Sequence, residues 1–213
     1  MLSDLVLEAG ASPVAHSGSA DAVGARSAAP ECGRLYPERI ADGWRDATGR
    51  LVRIRPIAAA DAELIRVFVH SLSVETRYMR FMAAVKQLSP PVIDRLTRLD
   101  HRRDAALIAV TDDAGEDRVV GVARYALNAG GRSCEFAIIV ADDWQGRGLG
   151  RHLLTLLVET AVARGLERMV GKVLAVNRTM LAFVRALGFG VSASADPATR
   201  RVHLGLDRRL AFA

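Results

Sequence analysis

The stretch that most constrains the fold is EFAIIVADDWQGRGLGRHLLTLLVETA, residues 135–161. An apolar run ends in two aspartates, a glycine-rich hexapeptide follows, and a segment with an apolar stripe of helical period comes next. The first N–H groups of a helix have no partner inside the helix, and the peptide dipoles place partial positive charge there. The stretch therefore predicts a strand, a glycine turn and a helix that bind a phosphate, with a plain tight turn as the alternative.

The residues around the glycines narrow the class of phosphate ligand. A P-loop needs a lysine and a hydroxyl residue at its end, and neither follows Gly150. A dinucleotide fingerprint needs its last glycine where Arg151 stands, and an acidic residue about 20 positions on, which is missing near Ala175. Neither a nucleoside triphosphate nor a dinucleotide is therefore indicated.

The composition is that of a soluble globular protein. The chain has 213 residues, of which 50% are hydrophobic and 25% charged, with a net charge of +5 that suits an anionic ligand. There is no basic block with interleaved aromatic residues, so we expect no nucleic acid partner. No apolar run approaches the roughly 20 residues of a membrane span, so we expect no membrane partner. Cys32 and Cys134 are isolated, which predicts no metal site and a reduced, cytoplasmic location.

The chain divides into three predicted segments. Residues 1–34 are rich in Ala, Ser and Gly and are interpreted as a flexible N-terminal arm. Residues 35–50 are interpreted as a transition with an Asp-Ala-Thr-Gly turn, from which Tyr36 and Trp44 could dock on the domain. Residues 51–213 are predicted to form one folded domain.

Within that domain the patterns predict a mixed fold. A strand at residues 51–56 precedes three helices, which begin near residues 61, 73 and 89. Two strands around an acidic glycine turn and a third strand lead to the glycine loop and its helix. Gly165 is predicted to end that helix. A strand, a helix that begins at Asn177 and ends at Gly188, and a closing hairpin follow. The fold class is thus α/β or mixed α+β, with helices flanking one mixed sheet.

Four segments of the sequence resemble a known family. QGRGLG matches Q/R-x-x-G-x-G/A, the acetyl-CoA signature of the GNAT superfamily of N-acetyltransferases, and NRTMLAFVRALGF resembles the second motif of that superfamily. The segments YPERIADGWRDATGRLVRIRPI and SLSVETRYMRFM look like the bacterial Pat-type protein lysine acetyltransferases. The resemblance covers roughly residues 51–206 and implies a mostly antiparallel sheet with a splayed parallel strand pair.

The resemblance also implies a binding mode for acetyl-CoA as co-substrate, without a metal. Main-chain groups of Ile138 and Val140 would bind the pantetheine arm, with Asn177 on the opposite side; an N-cap alone is the other interpretation of Asn177. Gln145 can brace the loop. Backbone amides would bind the pyrophosphate at Gly146, Arg147, Gly148, Leu149, Gly150 and Arg151.

Glu135 is the candidate general base. It is the one acid in an apolar strand, where it shares a face with Ala137 and Ile139, and it matches the base glutamate of Pat-type enzymes. The alternative is an edge-strand glutamate that faces water or pairs with Arg124. One departure is Val184, which stands where many family members have the tyrosine that protonates the departing thiolate.

The expected reaction is acetyl transfer to a protein lysine side chain, with an acyl-CoA synthetase as a plausible target by resemblance. The alternatives are a small-molecule amine acetyltransferase and a CoA-binding sensor domain with weak catalysis. Arg77, Tyr78 and Arg80 could contact the acceptor, although Tyr78 could simply be core. Asp142 and Asp143 are expected to turn outward from the loop into solvent, because they would repel phosphate.

Overall fold

A computed structural model describes residues 42–206 of the chain. Within this range eight strands form one sheet in the order β1-β2-β3-β4-β5-β6-β8-β7. The strands are β1 (Asp42–Arg45), β2 (Leu51–Pro56), β3 (Ala105–Asp113), β4 (Glu116–Leu127), β5 (Ser133–Val140), β6 (Arg168–Leu174), β7 (Gly190–Ala193) and β8 (Thr199–Gly205).

Five α-helices flank the sheet, and their ends follow local signals in the sequence. Ser73 accepts a hydrogen bond from the Thr76 amide at 3.1 Å and caps the second helix, as predicted. Gly165 and Gly188 have φ values of +73° and +84° and end the last two helices. The helices are α1 (Ala62–Ser71), α2 (Val74–Phe81), α3 (Pro90–Thr97), α4 (Leu149–Ala163) and α5 (Arg178–Arg185).

The sheet is antiparallel except for one strand pair. β5 and β6 run parallel and pair only between Ser133–Glu135 and Arg168–Val170. Beyond Glu135 the two strands separate, and β5 keeps its pairing with β4 alone. The predicted fold class, a mixed and mostly antiparallel sheet with a splayed parallel pair, is confirmed.

Helices cover both faces of the sheet. Gly121 of β4 lies under α4, where an added Cβ would stand 2.8 Å from Leu153, so only glycine permits this close approach. Arg124, which faces the other side by alternation, donates to the Leu96 carbonyl in α3. Leu149 and Leu157 of α4 are fully buried. The core therefore lies on both faces of the sheet, and the packing of α4 on the central strands positions the glycine loop at the start of that helix.

One strand is missing from the sequence prediction. β1 lies in the segment interpreted as a transition, and it pairs antiparallel with β2 from Asp42↔Ile54 to Arg45↔Leu51. The predicted turn after it is present, because the Asp46 carboxylate accepts hydrogen bonds from the backbone N–H groups of Thr48 and Arg50. The N-terminal arm at residues 1–34 and Tyr36 lie outside the described residues.

Candidate active site

A cavity of about 690 Å³ opens where β5 and β6 separate. This volume is within the usual range for a site that binds a small molecule or cofactor. The second half of β5 forms its floor, and α2, the glycine loop, the end of β6 and the start of α5 form its walls. The gap between β5 and β6 and the glycine loop therefore belong to one site.

The main chain of β5 faces this gap at alternate residues. The Ala141 amide donates to the Val120 carbonyl of β4 at 2.9 Å, so the main-chain groups of its neighbour Val140 point the other way. By the same alternation the groups of Ile138 point into the gap. The Val140 carbonyl also accepts from the Gln145 side chain at 3.2 Å, which is the bracing that the sequence predicted.

The glycine loop has a backbone that only glycine adopts easily. Gly146 and Gly148 have φ values of +73° and +93°, in the left-handed region. At Gly150 an added Cβ would contact the Phe183 ring and Val140 at 3.7 Å. All three glycines line the cavity, and Arg151 extends from α4 at its edge. The buried Leu149 anchors the start of the helix.

Arg147 is directed away from the cavity, unlike Arg151. Its Nη1 lies 3.2 Å from the Asp46 carboxylate, and its guanidinium lies 5.2 Å from the centre of the Trp144 ring. The resemblance implied pyrophosphate contacts for the backbone amides of both arginines, and it assigned no contact to their side chains. The structure brings only Arg151 to the cavity.

Glu135 lines the cavity close to the point where β5 and β6 part. It faces the same side of the sheet as Arg124, because Ala126 is its partner in register. Within residues 42–206 its carboxylate makes no hydrogen bond or ion pair, so the alternative pairing with Arg124 is not formed. A carboxylate with open acceptor sites inside a substrate-sized cavity can take up a proton.

Arg80 of α2 also lines the cavity and is the one member of the predicted acceptor group that does so. Its pKa is lowered to about 10, mainly by desolvation and also by the Arg124 guanidinium, while the Glu135 carboxylate opposes the shift. Arg77 has a different role, since it donates to the Leu72 and His70 carbonyls at 2.5 and 3.1 Å and closes the end of α1. Tyr78 is 44% exposed.

Asp142 is exposed, as expected, but it lines the cavity and ties α2 to the glycine loop instead of turning outward. Its carboxylate accepts from the Ser73 amide at 2.8 Å and from the Thr76 hydroxyl at 2.6 Å. Gln145 in turn donates to the same hydroxyl at 3.4 Å. Asp143 is likewise paired, with Arg118 at 3.0 Å. The charge of Asp143 is thus compensated by Arg118, whereas the donors to Asp142 are neutral groups.

The start of α5 forms the wall opposite α2. The Asn177 side chain accepts from the Met180 amide at 3.0 Å, so it caps the helix, and the residue also lines the cavity. Both interpretations of Asn177 are thus compatible with its position. Val184 is fully buried and does not reach the cavity, whereas Phe183 does.

This arrangement is the one that the GNAT resemblance implied, namely a mixed sheet whose parallel pair opens onto a glycine loop at a helix N-terminus. The chain belongs to the acetyltransferase (GNAT) family, whose model matches residues 54–189. Enzymes of this family use acetyl-CoA, and the chain is an acetyl-CoA-dependent N-acetyltransferase.

Individual relatives agree with this assignment. The chain is 37% identical over 164 residues to acetyltransferase PA5475 of Pseudomonas aeruginosa, covering 76% of this chain and 88% of that protein. It is 28% identical over 142 residues to acetyltransferase Pat of Mycolicibacterium smegmatis, covering 66% of this chain but 42% of that longer protein. The GNAT domain of S. lividans PAT superposes with a TM-score of 0.73 at 29% identity, covering 80% and 99% of the two chains.

Residues 42–206 contain neither a metal-binding cluster nor a membrane-spanning helix. No group of three or more His, Cys, Asp or Glu side chains is placed to hold a metal ion there. No helix in this part of the chain has the length and apolar character needed to cross a membrane.

Asp46 leads to a prediction on acid stability. A hydrogen bond from the Thr48 side chain lowers its pKa to about 2, helped by the Arg50 and Thr48 amides and Arg147, although burial opposes the shift. A pKa below its unfolded value stabilises the fold above about pH 4, and this contribution disappears as the pH falls toward 2. In denaturant titrations, wild type should exceed Asp46→Asn in stability near neutral pH, and the difference should shrink below about pH 4. A difference that stays constant down to pH 2 would contradict this.

Proposed function

We propose that the protein transfers the acetyl group of acetyl-CoA to a lysine side chain of another protein, with Glu135 as the general base. The observation that carries this proposal is the position of Glu135, whose carboxylate lies in the cavity beside the open main chain of β5 and has no hydrogen-bond or ion-pair partner among residues 42–206. The similarity to two Pat proteins supports the acceptor class.

In this proposal acetyl-CoA spans the cavity from the glycine loop to Glu135. The amides of Gly146 to Arg151 bind the pyrophosphate, since the helix dipole and the missing side chains favour an anion there. The main-chain groups of Ile138 and Val140 bind the pantetheine arm in the gap between the strands. Asn177 binds the same arm from the α5 side while it caps the helix. The thioester is thereby directed toward Glu135.

The chemistry requires the neutral form of the acceptor amine. A lysine amine has a reference pKa of about 10.4, so reaching the neutral form at pH 7 costs about 4.6 kcal/mol. Glu135 accepts the ammonium proton, directly or through one water, and the amine nitrogen then attacks the thioester carbonyl carbon. As the tetrahedral intermediate collapses, the carbon–sulfur bond breaks and the attacking nitrogen gives its extra proton to the departing thiolate, directly or through water, which yields the acetylated lysine and CoA. The thiolate is a good leaving group, with a reference pKa of about 8.5, so the absence of a tyrosine at Val184 is tolerated.

Arg80 supports this step electrostatically. It stays charged at neutral pH, because its lowered pKa of about 10 is still well above 7. A cation beside the base disfavours an ammonium ion at the same place and so favours the neutral amine that attacks.

The direct experiment is acetylation of candidate proteins, read by mass spectrometry. Purified enzyme with acetyl-CoA and an acyl-CoA synthetase should place one acetyl group on a defined lysine, at a rate well above the background without enzyme. Proteins that stay unmodified while a small amine is acetylated would favour the small-molecule alternative. Binding of CoA without turnover of any amine would favour the sensor alternative.

A further inference from the structure

The β1–β2 hairpin covers the outer side of the glycine loop, opposite the cavity. It reaches the loop with three side chains, which come from the end of β1 and from the turn that follows. Each of them contacts a residue in the segment 144–152, about 100 positions later in the chain. They are Trp44, Asp46 and Arg50.

Asp46 makes the central contact. Its side chain is 1% exposed, and one carboxylate oxygen accepts from the Thr48 hydroxyl at 2.6 Å and from the Thr48 and Arg50 amides at 2.9 and 3.0 Å. The other oxygen lies 3.2 Å from Arg147 Nη1. The turn thus holds the carboxylate rigidly, and the carboxylate holds an arginine from the middle of the glycine loop.

Two aromatic contacts strengthen the same attachment. The Trp44 ring stacks on His152 of α4 at 6.1 Å, and its edge lies 3.5 Å from where a Cβ of Gly148 would stand. The guanidinium groups of Arg50 and Arg147 lie 5.1 and 5.2 Å from the centre of the Trp144 ring. Arg147 is therefore fixed by a carboxylate and by an aromatic ring.

We propose that Asp46 is a positioning residue for acetyl-CoA, which holds Arg147 outward and so fixes the loop amides in their anion-binding conformation. This rests on the proposed binding of the pyrophosphate at the loop. A segment with glycines at three of six positions is flexible, and ordering it during binding would cost affinity. The hairpin supplies this order before the ligand arrives.

A direct phosphate contact by Arg147 makes the opposite prediction. If the Arg147 guanidinium turned inward to bind a phosphate, Asp46 would compete for it. Removal of the Asp46 charge would then release Arg147 and tighten binding. The two roles of Asp46 therefore predict opposite changes in CoA affinity when its charge is removed.

The test is CoA affinity by calorimetry in Asp46→Asn, which keeps the shape and the acceptor oxygen for the turn but loses the charge facing Arg147. We expect the dissociation constant to rise about five- to tenfold, and the KM for acetyl-CoA to rise with it while kcat stays within about twofold. Amide exchange at residues 146–151 of the free protein should become faster, which a contact made only in the complex would not change.

Asp61→Asn is the matched control. Asp61 has a side chain that is 5% exposed and pairs with Arg55 at 2.6 Å, but it lies outside the cavity lining. This variant should lose stability without any change in CoA affinity or in exchange at the loop.

The outcomes separate this proposal from the proposed function. If the wild type has no measurable affinity for CoA, the binding mode itself fails. If the wild type binds CoA and Asp46→Asn binds it equally well or more tightly, the positioning role of Asp46 is wrong and the proposed function stands. A double-mutant cycle with Arg147→Gln adds a second check. Because both substitutions remove the same contact, the variant that carries both should bind CoA no more weakly than the weaker of the two single variants.

Discussion

Glu135→Gln is expected to lower kcat by about 10²- to 10⁴-fold at neutral pH, which is the usual contribution of a positioned general base. Glutamine has nearly the same size and can still accept a hydrogen bond, but it cannot take the ammonium proton of the acceptor. The affinity for CoA should stay within about twofold, because the proposed contacts of the ligand with β5 use main-chain groups. Steady-state kinetics and calorimetry on the same preparations measure the two quantities.

The pH dependence of the variant gives a readout that a merely structural role of Glu135 would not affect. Without a base, the reaction relies on amine that is already neutral, and this fraction rises about tenfold per pH unit until the amine pKa near 10.4. The rate of Glu135→Gln should therefore recover steeply between pH 7 and about 9, while the wild-type rate rises less.

Glu75→Gln is a suitable control, because Glu75 also lines the cavity but is exposed at the start of α2. We expect this variant to keep kcat within about twofold of the wild type. Equal turnover in Glu135→Gln and wild type would show that the base assignment is wrong. A parallel loss of CoA affinity would instead indicate that the substitution disturbs the cavity.

The features predicted correctly from the sequence are local ones. The cap at Ser73 and the helix ends at Gly165 and Gly188 depend on residues within one turn of each other. The order of strands and helices follows from hydrophobic periodicity, which is also a local property. The glycine-loop part of the candidate site also follows from a local pattern, because its strand, glycine turn and helix are consecutive in the chain.

The features that the sequence did not predict join distant segments. Arg147 and Asp46 are 101 positions apart, and Asp142 is 69 positions from Ser73. Side-chain pairs of this kind leave no periodic pattern, so one aspartate looks like any other in a polar turn. β1 was missed because its DGWR sequence is short and has a glycine and two charged residues, which are uncommon in strands.

These distant contacts connect the two halves of the site. Asp142 fixes the start of α2, which carries Arg80 on the acceptor side, and Asp46 fixes the glycine loop on the acetyl-CoA side. Gln145 contacts both sides of the site, because its side chain donates to the Thr76 hydroxyl of α2 and to the Val140 carbonyl of β5. The proposed path of acetyl-CoA from the glycine loop to Glu135 is therefore held in place partly by Asp142 and Asp46, which lie outside the QGRGLG signature.

Gly148→Val is expected to weaken CoA binding by about 100-fold. At φ +93° a β-branched residue is strained by about 1–3 kcal/mol, and its side chain would meet Trp44. The backbone must move to relieve this strain, and hydrogen bonds from the loop amides to a charged ligand are then lost, each contributing about 1.5–3 kcal/mol. Calorimetric titration with CoA measures the loss directly.

Gly115→Val separates this effect from general destabilisation. Gly115 has nearly the same φ, +92°, but it lies in the exposed turn between β3 and β4 with no atom within 4 Å of an added Cβ. Both variants should lower the melting temperature, because both place valine where glycine is preferred. Only Gly148→Val should affect CoA affinity, since only that backbone belongs to the proposed anion site. If Gly148→Val retains wild-type affinity while remaining folded, the pyrophosphate does not bind at this loop, and the placement of the thioester near Glu135 fails with it.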